Sequence, residues 1–199
     1  METNALAQQV LQKLFVEIEA SGRHVHLTCA QAQLLFGHAL TPKRPLSQPG
    51  QYLANERLSV VGPKGSFENV AVLGPEREQA QVEISLTDAR TLGVNAPVRP
   101  SGSVNASPGI RIVGPLGQLD LPQGVIVAQR HIHITPQAAA HFGVRDKQLV
   151  RLQVYSQRPV VFEDVLIRVS PDFCTYVHLD YDEANACGWK TGDLGRILP

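Results

Sequence analysis

One hexapeptide occurs twice in this chain, and that recurrence restricts the fold more than any other feature of it. Arg23-His24-Val25-His26-Leu27-Thr28 returns as Arg130-His131-Ile132-His133-Ile134-Thr135, and each copy runs through a short helical pattern to a Phe-Gly pair, Phe36-Gly37 and Phe142-Gly143. A second block repeats at an offset of 95 residues, Phe67 to Phe162: Phe67-Glu68-Asn69-Val70 matches Phe162-Glu163-Asp164-Val165. On the same offset Asp88-Ala89 and Gly93 match Glu183-Ala184 and Gly188. Motifs doubled in the same order mean two copies of one unit. The copies span 22–98 and 123–199, with a linker at 99–122 whose stretch RPSGSVNASPG is rich in Ser, Gly and Pro.

The local patterns fill these units mostly with strands. Short apolar or alternating runs occur at 57–61, 69–73, 81–85, 125–129, 149–155, 165–169 and 175–179, punctuated by turns such as Gly62-Pro63 and Gly74-Pro75. With 16 Gly and 14 Pro in 199 residues, the helices between them are expected to be short: 28–36, 87–92, 135–141 and 181–187. The fold class is therefore mainly β with short α-helices, in two related tandem domains. Leu6, Val10, Leu14 and Ile18 recur at four-residue spacing and predict an amphipathic helix over 3–19, so that residues 1–21 form a separate N-terminal segment.

Two histidines at i and i+2 of a strand point to the same face, because strand side chains alternate. Seven histidines scattered over 199 residues would seldom make one HxH, and here there are two, each preceded by Arg. A pair of imidazoles plus one distant ligand makes a three-point metal site with positions left open, the arrangement of catalytic zinc. The repeat supplies the third ligand, since Glu83 and His178 fall opposite each other on the 95-residue offset and both have ligand chemistry. The expected sites are His24, His26 and Glu83 in one copy and His131, His133 and His178 in the other. Zinc suits both sets, although cobalt, nickel, iron and copper also take imidazole. His38 and His141 lack the pattern and are read as ordinary residues.

The copies also differ. Arg77 precedes Glu83 by six residues, and its counterpart at the 95-residue offset is Asp172, so its charge serves one copy only. A guanidinium beside a metal suits a tetrahedral oxyanion; equally, Arg77 could be a surface residue partnered by Glu76 or Glu78. Cys29 follows the first HxH but has no thiol counterpart in the second copy, and is read as a packing residue. Asp180, Asp182 and Glu183 read as the start of a helix.

Composition removes other classes. Lys plus Arg equal Asp plus Glu at 18 each, without the basic excess of a nucleic-acid-binding domain. No run approaches the ~20 apolar residues of a membrane span. The N-terminus has acid and amide residues where a secretory signal is basic, so residence in the cytoplasm is expected. Three widely spaced cysteines without CxxC argue against a disulfide framework. No GxSxG, GxxxxGK[ST] or GxGxxG is present.

The segments RHVHLT, LSQPGQY, VGPKG, QVEISLTDARTLG, SPGIR, GVIVAQRHIHITP and DEANA, in that order from about residue 20 to the end, resemble the PduL-type phosphotransacylases, the phosphate propanoyltransferases of propanediol-utilising bacterial microcompartments. The resemblance implies two β-barrel domains capped by short helices, with two metal ions at a coenzyme A site. It implies interconversion of acyl-CoA plus phosphate with acyl phosphate plus CoA. The family's metal ligands fall on the same six residues that the repeat selects, its phosphate-binding arginine falls on Arg77, and positions near CoA fall on Lys43, Ser101 and Asn185. It further implies that the N-terminal helix addresses the enzyme to a shell or scaffold partner, the alternative being a helix that caps the chain's own barrel. A homo-oligomer stays open, as do two other activities: a metal-dependent hydrolase of thioesters or acyl phosphates, and a non-catalytic metal-binding component of a microcompartment.

Overall fold

The computed structural model describes residues 13–198. The chain divides into two compact units, one formed by Gly22–Gln129 and the other by the residues up to Ser21 together with those from Arg130 onward.

The first unit contains β2 (His24–His26), α1 (Cys29–Phe36), β3 (Pro42–Pro45), β4 (Tyr52–Val61), β5 (Ser66–Gly74), β6 (Gln81–Glu83), α2 (Leu86–Leu92), β7 (Val98–Arg99), β8 (Ile110–Val113), β9 (Gln118–Leu121) and β10 (Val125–Ala128). Its strands form one curled sheet in the order β7-β10-β6-β2-β5-β4-β8-β9, with β3 added on β4. The second unit contains β1 (Val16–Ser21), β11 (His131–Ile134), α3 (Pro136–Phe142), β12 (Leu149–Tyr155), β13 (Val160–Val169), β14 (Tyr176–Asp180), α4 (Tyr181–Cys187) and β15 (Leu194–Leu198). Its six strands close into a barrel, β1-β14-β11-β13-β12-β15.

The duplication is visible strand by strand. β2 pairs antiparallel with β6 so that His24 faces Glu83, and parallel with β5 so that His24 faces Ala71. β11 pairs antiparallel with β14 so that His131 faces His178, and parallel with β13 so that His131 faces Leu166. Both long hairpins carry the same bulge. Glu68 and Asn69 sit where β4 offers one residue, Glu163 and Asp164 where β12 does. The residue absorbing the extra length takes a left-handed conformation in each, Asn69 at φ 56° and Asp164 at φ 54°, which short polar side chains tolerate best. Helices α1 to α4 begin on Thr28, Ser85, Thr135 and Asp180, whose side chains each accept a bond from the N–H three residues on. Asp180 and Glu183 form a capping box, so the acidic run does start a helix.

Each unit has its own core. Val25, Leu35, Val72, Val82, Leu92 and Ile112 are wholly buried in the first, and Ile132, Ile134, Leu152, Val165, Ile167 and Val177 in the second. The middle residue of each HxH, Val25 or Ile132, is thus what anchors the strand while the flanking histidines face the other way.

Three expectations need correction. The helix expected over 3–19 is helical at residues 13 and 14 and gives way to strand β1 from Val16; its part up to residue 12 lies outside the described residues. Val16 and Ile18 are 2% and 1% exposed and alternate with Glu17 and Glu19, a period of two that decides against a helix there. Residues 110–121, expected to be linker, form the β8–β9 hairpin on β4, with Ile112 facing the core. Cys29 is exposed at the start of α1 and does not pack.

The unit boundary has a cause that the repeat alone hides. β1 leads directly into β2 in sequence yet pairs with β14 and β15. β10 leads into β11 yet pairs with β6 and β7. Each unit therefore takes the strand that precedes the other's HxH, and the chain crosses over at Gly22 and again at Arg130.

Candidate metal centres

In the first unit, β2 and β6 bring four polar side chains onto one face. The register sets Glu83 opposite His24 and Gln81 opposite His26, and side chains opposite each other in an antiparallel pair share a face. All four are buried. Nε2 of His24 and Nε2 of His26 lie 3.5 and 3.8 Å from the same Glu83 carboxylate oxygen. Their other ring nitrogens meet carbonyls, His24 Nδ1 that of Gly22 at 2.8 Å and His26 Nδ1 that of Leu73 at 3.2 Å. A carbonyl only accepts, so each Nδ1 carries the hydrogen. Unless the ring is protonated, Nε2 then offers a lone pair toward Glu83, the second-shell arrangement that orients a metal-binding imidazole.

The donor set fits a cation. Ligands at the usual zinc distances on a tetrahedron stand about 3.4 Å apart, close to the separations observed here. Without a cation, burial presses the His24 imidazole down, but the Glu83 charge and its bonds to Glu83 and Gly22 outweigh it and the pKa is raised. Burial, then the charges of His24 and Arg77, hold His26 well below its ordinary value. Burial opposes ionisation of Glu83, yet His24, His26 and the Ser101 hydroxyl bring it far below the normal carboxylate range. Glu83 and His26 are thus held toward the charge states that a cation requires, while His24 is held toward its protonated form.

The second unit repeats this with three imidazoles. His131, His133 and His178 have ring centroids 4.6, 5.0 and 4.8 Å apart, and the ligand atoms in each cluster all lie within 4.8 Å of one another. His133 also packs on the Phe173 ring, at 4.1 Å. A carboxylate lies behind this cluster, that of Glu19, which β1 places opposite His178, with Oε2 3.9 Å from Nδ1. In the first unit the corresponding place opposite Glu83 is taken by Ile126. One carboxylate thus accompanies each cluster, inside the ligand set in one and behind it in the other.

The arginine that opens each repeat has a structural task. Arg23 donates two bonds to Asp88 at 3.1 and 2.7 Å and covers the Phe67 ring, and Arg130 donates to Glu183 at 2.9 Å on the equivalent helix. Both tie the HxH strand to the helix that follows the third ligand.

Arg77 lies half-buried on the β5–β6 connection, its N–H donating to the Leu27 carbonyl at 2.8 Å, and its charge reaches His24 and His26. Its neighbour Glu76 instead accepts the Leu40 N–H at 2.8 Å. Lys43 is exposed on β3 and Asn185 on α4. Ser101 turns its hydroxyl to Glu83, donating at 2.8 Å. His38 and His141 are exposed and outside both clusters. Gln81 escaped the sequence reading; its period-two spacing from Glu83 was the available signal, but the second copy has Tyr176 there.

Comparison with known proteins places this geometry in context. The family model described as phosphate propanoyltransferase matches residues 17–190. A phosphate propanoyltransferase of Clostridioides difficile is 49% identical over 98% of this chain and 96% of its own. One from Enterococcus faecalis is 51% identical, covering 96% and 91%, and one from Salmonella typhimurium is 49% identical, covering 87% and 83%.

Proposed function

Because this chain belongs to the phosphate propanoyltransferase family, and is a phosphate acyltransferase on that ground, we propose that it exchanges propionyl groups between CoA and phosphate by direct attack on the thioester. A phosphate oxygen adds to the acyl carbon, the carbon–sulfur bond breaks, and CoA leaves as its thiolate. The observation that carries this reading is the pair of convergent donor clusters, one of them under the charge of Arg77.

His24, His26 and Glu83, and separately His131, His133 and His178, would each hold a divalent ion, zinc in our reading. Such ions supply Lewis acidity to a carbonyl or phosphoryl oxygen and to a departing thiolate. The chain's own residues do the rest. Arg77 binds phosphate through paired charge-assisted bonds and fixes the approach of its oxygen. Lys43 and Asn185, both exposed, are open to the nucleotide part of CoA. Ser101 was matched to the same role, but its hydroxyl is engaged with Glu83. No side-chain nucleophile is needed, so both substrates bind before product leaves. Initial-rate lines that intersect are expected; parallel lines, or an isolable acyl-enzyme, would overturn direct attack.

Release of free CoA from propionyl-CoA should depend on added phosphate and yield propionyl phosphate in equal amount. Release without phosphate would make the protein a hydrolase, and no release under either condition would leave it a binding component.

We also place the enzyme inside a microcompartment, with residues ahead of β1 meeting a shell or scaffold protein. No helix among the described residues is long and apolar enough to cross a membrane. Removing residues 1–12 should leave transfer intact and abolish co-purification with shells. Removing residues 1–20 deletes most of β1, which bonds to both β14 and β15, and should leave insoluble protein. A folded, active 1–20 deletion would contradict the barrel closure described above.

A further inference from the structure

We infer that Gln81 is a positioning residue for the first cluster, holding the Glu83 carboxylate toward His24 and His26 and latching residues 101–102 to it. The inference rests on the reading that His24, His26 and Glu83 bind a divalent cation.

Gln81 is 2% exposed and is the fourth corner of the face shared with the three candidate ligands. A buried primary amide must find partners for two donors and an acceptor, or lose the hydration it gave up. Here all are met. The amide nitrogen donates to Glu83 Oε1 and to the Ser101 hydroxyl oxygen, the latter at 2.9 Å. The Ser101 hydroxyl in turn donates to the same Glu83 oxygen at 2.8 Å. The amide oxygen accepts the Gly102 N–H at 2.7 Å. The orientation of the amide is fixed by these neighbours. Turned over, it would set oxygen against a carboxylate and NH₂ against an N–H, two repulsions in a buried place.

The outcome is a closed triangle of Gln81, Ser101 and Glu83 whose bonds converge on one carboxylate oxygen. Two neutral donors favour the ionised carboxylate and restrict its rotamer, which is what an outer-shell partner does for a metal ligand. Gly102 extends the latch to the loop, its N–H tying the backbone at 101–102 to Gln81. The second cluster differs at this corner. Its fourth corner, opposite His133, is Tyr176, and its third ligand is an imidazole. The protein therefore contains its own control.

The test counts zinc. Full-length wild type, His24→Ala and Gln81→Met are loaded with zinc, titrated with a chelator of known affinity, and assayed for bound metal by mass spectrometry. Gln81→Met keeps the length of the side chain and removes every hydrogen bond. Wild type should retain two ions and His24→Ala one. Gln81→Met should release one ion with an affinity lowered about 10- to 100-fold, while the other titrates as in wild type. Ser101→Ala should fall in the same direction, and Ser101→Thr, which restores a hydroxyl, should recover. A part in stability alone would lower the melting temperature of the metal-free protein and leave both zinc affinities where they were. Unchanged affinity at the first cluster in folded Gln81→Met overturns the inference. Should that variant fail to fold, Ser101→Ala decides in its place, since Ser101 lies outside the strands. If His24→Ala binds as much zinc as wild type, the fault is in the metal reading and not in Gln81.

Discussion

His24→Ala and His133→Ala are each expected to lose one of two bound zinc ions and to lower phosphate-dependent CoA release by ~10³-fold or more. The magnitude follows from the chemistry assigned to the ions. Charge stabilisation by a Lewis acid amounts to several kcal/mol, and about 4 kcal/mol is three powers of ten in rate. A three-ligand site cut to two cannot hold its cation at ordinary concentrations, because two protein ligands leave half of a tetrahedral shell to water. The two variants also report on folding differently. His24 meets the His26 ring edge-on and bonds Gly22, whereas His133 packs on Phe173, so His133→Ala opens a gap that His133→Gln would partly fill. If loss of activity came from that gap, His133→Gln would restore transfer without restoring zinc. Activity and metal falling together in all three, with circular dichroism unchanged, is the outcome the assignment requires. The exposed His38→Ala and His141→Ala should keep both ions and normal turnover. Retention of two zinc ions by His24→Ala or His133→Ala would remove that cluster from consideration.

These clusters were legible from the sequence for a physical reason. Sharing a cation forces ligands onto one face of a strand, which writes HxH with an apolar residue between, and duplication wrote it twice. Glu83 and His178 could be found because the 95-residue offset is preserved exactly where the register pairs them with His24 and His131. What stayed hidden had no duplicate or no local signature. Gln81 forms hydrogen bonds in one copy only. The exchange of β1 and β10 between units stayed hidden because VEIEAS and VIVA themselves carry no mark of which sheet they join. The β8–β9 hairpin was hidden for a related reason. It occupies the stretch between the repeats and so had no second copy to align with, and its outer residues Arg111 and Asp120 bond each other at 2.8 and 3.0 Å in solvent.

The same asymmetry that concealed Gln81 makes Arg77 informative. Arg77→Ala should keep both zinc ions and the fold, leave the KM for propionyl-CoA near its normal value, and raise the KM for phosphate by about 10- to 100-fold, the worth of a charge-assisted hydrogen bond or two. The second unit has Asp172 at this position, an anion that would repel phosphate, so the effect cannot be shared between units. Arg77→Lys separates charge from shape. An ammonium restores the field but cannot make two parallel bonds to one oxyanion, so the variant should fall between alanine and wild type. The main-chain bond from Arg77 to Leu27 survives either change, which keeps the β5–β6 connection in place and the comparison clean. Wild-type phosphate kinetics in Arg77→Ala would sink the assignment, because a guanidinium serving only the packing of its loop would change the melting temperature and leave the dependence on phosphate as it was.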